Sequence, residues 1–338
     1  MTPLRIGLIG FGSWVRAAYL PALNYDGRAV ITAATAATEK TRRQILEVLG
    51  GNVTIFESYE TLLSNAQIDA VMIAVPDNIH QTVLSAAIES GVAVFYEPPV
   101  SHLRDQIPVM INRLLAAPQV TFAHLELCYH PAVERAVDLI KDNVIGLLHN
   151  VNITLHADWG ITENSDLCLM NRMSCWYADV LNSITGSIPK RVQILDGYGS
   201  CGRMQSISTA IYDYDGVWGI FRANVSSPQG LSLEIEINGS KGDIVIDYFT
   251  GELRYRSMSR PQWRAEYCCP QKPYADWPGV RETVSAFIIS VISKEPGRGN
   301  ANVVAQLNMI GLAAEESKDT GGWAQIYTPL SLALPGTP

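Results

Sequence analysis

A chain of 338 residues exceeds one ordinary core and suits two domains. Its 47% hydrophobic and 17% charged residues exclude a disordered chain, and a formal net charge of -8 with no long Lys/Arg run excludes a general binder of nucleic acid or anionic membrane. Six scattered cysteines, of which only Cys268 and Cys269 are adjacent, supply neither paired C-x-x-C metal motifs nor a secreted disulfide framework.

The apolar run at residues 4–9 reads as a strand, the turn Gly10-Phe11-Gly12 follows, and residues 14–23 read as a helix. A strand entered by Arg5 leaves no room for a signal peptide, and the longest apolar stretch, near 286–292, is too short to span a bilayer. A cytoplasmic protein acting on small molecules is therefore expected. Strands at 30–34, 53–56, 70–74, 93–96 and 120–123 alternate with helices at 39–49, 58–64 and 80–90. Parallel neighbours need crossover helices, so this alternation predicts a doubly wound α/β Rossmann domain over residues 1–125.

The pattern then changes. After a helix at 131–143 come strands at 148–156, 191–195, 206–212, 217–225, 231–237, 243–247 and 252–255, interrupted by a helix at 171–185. Helices at 279–293 and 302–317 close the chain, before a frayed tail at 334–338. Period-2 alternation and hairpin-like turns predict an α+β domain over 126–338 with a large, mainly antiparallel sheet. Its C-terminal segment is placed to pack back on the first domain.

Gly10 and Gly12 lie where a dinucleotide diphosphate rests on a helix N-terminus, with Ser13 and Trp14 in the same turn. The third small residue of the usual motif is Val15, which would displace the helix or crowd the phosphates. At the end of the second strand, where NAD enzymes carry an acid for the ribose hydroxyls, stands Thr35. A neutral hydroxyl there, with Lys40, Arg42 and Arg43 downstream, favours NADP over NAD, although those cations also read as a solvated helix face. No metal is expected.

Several segments in order resemble the glucose-fructose oxidoreductase, inositol dehydrogenase and rhizopine-catabolism (Gfo/Idh/MocA) family. They are Gly7-Leu8-Ile9-Gly10-Phe11-Gly12 with Tyr19-Leu20-Pro21-Ala22-Leu23, Val75-Pro76-Asp77-Asn78-Ile79-His80, Glu97-Pro98-Pro99, His130-Pro131-Ala132-Val133, and Gly239-Ser240-Lys241-Gly242 with Asp247. The resemblance implies that Val75, Pro76, Asn78 and His80 border the nicotinamide ribose, that Glu97 and Pro98 cap that end of the cofactor, and that the second-domain sheet forms a homodimer or homotetramer. His80 also reads as an ordinary helix-start histidine.

The family's Lys after that Glu is Pro98 here. Aligning the second-domain helix on Asp179 and Gly186 puts Arg172 and Trp176 at the family's Asp and His. Neither proline nor tryptophan can take a hydroxyl proton, so a conventional alcohol dehydrogenase is not expected. One reading is a reductase of an activated C=N or conjugated C=C bond, as the resemblance to the biliverdin reductase and thiazolinyl imine reductase branches implies. His124-Leu125-Glu126-Leu127 is similar to a stretch of the former, which would place Glu126 near the nicotinamide. Arg172 would grip a carboxylate, Trp176 would stack on a flat ligand one helical turn on, and Tyr177 would donate a proton. The other reading is a scaffold without redox chemistry: a cofactor-free lyase or cyclase, or a regulatory ligand-binding subunit. A zinc enzyme lacks H-E-x-x-H spacing and a serine hydrolase lacks G-x-S-x-G. Loops 158–169 and 259–277 are expected to decide the substrate.

Overall fold

The computed structural model describes residues 2–159, 166–198, 205–268 and 277–327. Residues 160–165 and 269–276, within the two loops expected to decide the substrate, and the tail 334–338 lie outside the described residues. The chain divides into two compact units, Met1–Leu125 with Pro273–Ala305, and Glu126–Lys272 with Gln306–Pro338.

The first unit is built on β1 (Leu4–Ile9), β2 (Ala29–Thr35), β3 (Thr54–Phe56), β4 (Ala70–Ile73), β5 (Ala93–Tyr96) and β6 (Thr121–Ala123). They form one parallel sheet in the order β3-β2-β1-β4-β5-β6. Every residue of β4 and β5 is buried, as expected of strands covered on both faces by crossover helices. Those helices are α1 (Leu20–Asp26), α2 (Glu39–Leu49), α3 (Tyr59–Asn65), α4 (Asp77–Ser90) and α5 (Ile107–Ala116), joined by α8 (Val280–Ser293) from later in the chain. α8 packs on α1, and its Phe287 sits 5.1 Å from Phe95, which stacks on Phe122 at 6.0 Å.

Three details depart from the sequence expectation. The first helix opens as a π-helical turn over Val15–Tyr19 before α1 begins. Val15 is fully buried there, and the wider turn gives its branched side chain room. α4 starts at Asp77 rather than near residue 80, because Pro76 (φ -58) takes the N-cap position and Asp77 favours the first turn. α5 was not expected, although Ile107, Met110, Ile111 and Leu114, all buried, repeat at helical spacing.

The second unit contains α6 (Pro131–Lys141), β7 (Leu148–His156), α7 (Leu169–Thr185), β8 (Arg191–Tyr198), β9 (Gln205–Asp213) and β10 (Trp218–Asn224). It continues through β11 (Ser232–Gly239), β12 (Gly242–Asp247), β13 (Glu252–Ser257) and β14 (Arg260–Tyr267). The last elements are α9 (Ala301–Thr320), in whose first turns the division between the units falls, and β15 (Ala324–Gln325). The nine strands run β14-β13-β12-β11-β7-β10-β9-β8-β15, antiparallel except where β10 lies parallel to β7. In β11, Leu233, Ile235 and Ile237 are buried, whereas Ser232 and Glu234 are exposed. That alternation leaves one sheet face for α6 and α7 to cover. β14 is an edge strand exposed almost throughout, so it carries no apolar alternation by which to be read.

The His130-Pro131 motif has a structural role in this unit. His130 Nδ1 accepts from the Ala132 amide at 3.0 Å, which leaves Nε2 to donate to the Tyr248 carbonyl at 2.8 Å. The histidine thereby caps α6 and ties it to the end of β12. Among the described residues, no helix is long and apolar enough to cross a membrane, and no three His, Cys, Asp or Glu side chains gather as metal ligands.

Candidate functional site

The turn after β1 is held by backbone. The Gly10 amide donates to Thr35 O at 3.0 Å, and a Cβ on Gly10 (φ +95) would stand 2.0 Å from Ala74 O, so only glycine fits between the ends of β2 and β4. Gly12 and Ser13 are exposed, and a Cβ on Gly12 would meet nothing within 4 Å. The backbone therefore faces open space where a diphosphate would lie, and these residues fit the group. Val15 and Trp14 do not fill that space. Val15 is buried, and Trp14 turns toward the end of β5.

Glu97, directly after β5, is what Trp14 reaches. Trp14 Nε1 donates to Glu97 Oε1 at 2.7 Å, the Tyr19 hydroxyl donates to the same oxygen, and His124 Nδ1 lies 3.0 Å from it. A carboxylate only accepts, so Nδ1 of His124 carries the proton. The i→i+5 pitch of the π turn brings Trp14 and Tyr19, five positions apart, to one partner. Burial by itself would raise the Glu97 pKa, but the charge of His124 and the three donors outweigh it and hold the group below the usual carboxylate range. Sequence reading had selected Trp14 and Glu97 but assigned no role to Tyr19 or His124. A partly buried carboxylate's need for donors was the available signal.

The other expected cofactor residues divide. Pro76 and Asn78 are exposed and Val75 is half-buried, whereas His80 turns inward, 3% exposed, between Tyr96 and His102. Burial, then the neighbouring His102, lower the His80 pKa to about 4, so it is neutral at physiological pH. Asp77, which sequence reading passed over, lies 3.4 Å from His102 Nε2. Pro98 is buried. Thr35 is buried too, and its hydroxyl donates to Phe56 O at 2.9 Å, so it is engaged within the sheet end. Arg42 Nη1 donates to Ala36 O at 2.9 Å, which holds its guanidinium beside the end of β2, while Arg43 pairs with Glu39 on the exposed helix face.

In the second unit, Glu126 is 4% exposed and Glu126 Oε2 accepts from Trp176 Nε1 at 3.0 Å. Arg172 and Trp176, both half-buried, share one face of α7. Tyr177 lies elsewhere: its ring stacks on Phe221 at 4.0 Å and 10°, and burial, then the charge of Glu126, push its pKa up. That environment disfavours the proton-donor role expected of it. The N-terminus of α7 is held by Glu315 of α9, a buried carboxylate that sequence reading missed. Glu315 Oε1 accepts from the Cys168 amide at 2.6 Å and from Asn171 Nδ2 at 2.9 Å.

Residues 4–117 match the family model GFO_IDH_MocA, described as an oxidoreductase family with an NAD-binding Rossmann fold. Over these residues the chain is similar to the Gfo/Idh/MocA oxidoreductases. Among curated proteins, a dTDP-3,4-didehydro-2,6-dideoxy-alpha-D-glucose 3-reductase of Actinomadura kijaniata is 27% identical over 146 residues, 43% of each chain. The myo-inositol 2-dehydrogenase of Thermotoga maritima is 23% identical over 339 residues, 93% of this chain and 96% of its own. The chain spans less than half the length of three curated relatives, at 43%, 40% and 45%. A levoglucosan dehydrogenase solved with NADH and levoglucosan superimposes with a TM-score of 0.81 at 19% identity, covering 96% of this chain and 100% of that one. That likeness establishes a shared fold.

Proposed function

We propose that the protein is an NAD(P)-dependent oxidoreductase that reduces an activated C=N or conjugated C=C bond of a small molecule. The observation that carries this reading is the buried Pro98 directly after Glu97, where the family resemblance places a lysine. Oxidising an alcohol needs a base for the hydroxyl proton, and Pro98 has none to offer. Reducing C=N needs only hydride at carbon and a proton at nitrogen, and that proton can come from solvent or through Glu126. When bound, the nicotinamide supplies the hydride.

The backbone at Gly10, Gly12 and Ser13 would hold the diphosphate, while Val75, Pro76 and Asn78 would border the nicotinamide ribose, with His80 supporting them from beneath. NADP is favoured over NAD because the end of β2 carries no acid and Arg42 stands beside it. Arg172 would grip a substrate carboxylate with its planar fork, Trp176 would stack on a flat substrate, and Glu126, oriented by Trp176, would face a positively charged iminium. Free thiols at Cys128, Cys168, Cys175 and Cys268 suit a reducing cytoplasm. The exposed Leu195, Ile207 and Trp218 on the nine-stranded sheet suit assembly as a homodimer or homotetramer.

The test is loss of reduced-nicotinamide absorbance with a panel of cyclic imines and enones, and its gain when polyols are supplied with the oxidised nucleotide. Turnover of imines or enones but not polyols is expected, and oxidation of a polyol with ordinary efficiency would refute the reading. The inward hydroxyl of Thr35 favours a second reading, a scaffold without redox chemistry, because it contributes nothing to a ribose. Calorimetric titration separates the two: absence of NADPH and NADH binding at millimolar concentration would select the scaffold.

A further inference from the structure

We infer that Trp14 and Glu97 form a charge-discriminating wall at the nicotinamide end of the site, which binds the oxidised, cationic ring in preference to the reduced, neutral one. The inference rests on the proposed nucleotide binding and adds a property of that same site.

Its first support is position. In a doubly wound sheet the ligand lies across the carboxyl ends of the strands, with its diphosphate at the β1 turn and its adenosine over the end of β2. The nicotinamide half therefore falls toward β4 and β5, and Glu97 is the first residue beyond β5. Trp14 starts in the diphosphate turn and reaches Glu97, so its indole spans that half of the site.

The second support is charge. Glu97 is held ionised by its donors, and its side chain keeps a quarter of its surface exposed (25%), so the anion is fixed yet open on one side. Of the groups that fix it, the one cation is His124, wholly buried and 3.0 Å from Oε1, so it offsets the anion from behind, whereas the buried Tyr19 hydroxyl and the Trp14 indole N–H are neutral donors. Trp14 and Trp277 meet edge to face at 5.7 Å and 81°, and both are half-buried. Aromatic faces beside a fixed carboxylate attract a cation through the ring quadrupole and through Coulomb's law, and neither force acts on a neutral dihydropyridine.

A preference of about tenfold follows from one partly desolvated cation–π contact with its carboxylate. Tighter binding of the oxidised form lowers the potential of the bound couple, by about 30 mV for a tenfold ratio. The bound reduced cofactor then becomes a stronger hydride donor, which suits a reductase.

Calorimetric titration of NADP+, NADPH, NAD+ and NADH into the wild type, Glu97→Gln and Trp14→Phe tests this without turnover. The oxidised form is expected to bind the wild type about tenfold more tightly than the reduced form. Glu97→Gln is expected to bring the ratio near one, chiefly by weakening the oxidised form, and Trp14→Phe to lower it partway. Equal or tighter binding of the reduced form by the wild type overturns the inference, whatever the variants do. A wild-type preference that survives in both variants, with unchanged circular dichroism, overturns its assignment to these residues. If no nucleotide binds the wild type, the proposed function itself fails and this inference with it.

Discussion

Replacing Gly10 and Gly12 separately by alanine divides what the first turn does for the fold from what it does for a ligand. At Gly10 the new methyl would stand 2.0 Å from Ala74 O on a backbone at φ +95. The conformation alone costs an alanine about 1–3 kcal/mol, and the overlap adds to it, because β1 and β4 cannot separate without breaking their shared register. At Gly12 the methyl meets nothing within 4 Å, so the fold is unharmed and gains up to about 1 kcal/mol from a less flexible unfolded chain. The same methyl would stand where a diphosphate must approach the backbone. Losing one charge-assisted hydrogen bond there is worth about 2 kcal/mol, or more than tenfold in Kd. Thermal melts and calorimetric titration with NADPH, run on both variants, separate the effects. Gly10→Ala should melt lower, whereas Gly12→Ala should melt as the wild type does and bind NADPH at least about tenfold more weakly. Unchanged affinity in a folded Gly12→Ala would refute the argument that phosphate approaches the backbone at that residue.

Arg172→Ala should leave nucleotide affinity intact and raise KM for a carboxylate-bearing substrate by about tenfold or more, with little rescue by lysine; full turnover by the variant would remove its role. Glu315→Ala strips two donors at the start of α7 of their buried acceptor, so the second unit should lose about 2–4 kcal/mol in denaturant unfolding, while Glu315→Gln keeps an acceptor and should lose less. Equal melts for the two variants would contradict that account. Burial holds His80 and His130 at about 4 against an ordinary 6.5, so each stays neutral in the fold while the unfolded chain takes up a proton as pH drops below 6.5. Stability should therefore be full above that pH and fall between about 6.5 and about 4, by up to about 3 kcal/mol per histidine. A flat denaturant midpoint across that window would show that the histidines are not held neutral.

The parallel sheet of the first unit was legible because strands buried on both faces read as unbroken apolar runs, as Ala70–Ile73 and Ala93–Tyr96 do. The strands of the second sheet were legible wherever one face met α6 or α7, since burial then alternates as in β11. β14 was not, because neither of its faces is covered. Within the site, the turn chemistry pointed to Gly10, Gly12 and Trp14, the family resemblance pointed to Glu97, and the donors around that carboxylate were not legible.

Local chemistry is written along the chain. Glycines at the first turn and apolar runs separated by crossover helices follow from the order of residues alone, and the family resemblance marks Pro98 as standing where a lysine is expected. Direction is not written there. Whether the Thr35 hydroxyl faces a ribose or Phe56 O, whether His80 opens outward or packs beneath Tyr96, and which donors surround Glu97 depend on contacts between residues far apart in sequence. Trp14 and Glu97 are 83 positions apart, and Glu126 and Trp176 are 50 apart. Propensity and periodicity act over one or two turns, so only the packed fold, where burial forces each polar group to find a partner, could decide those pairings.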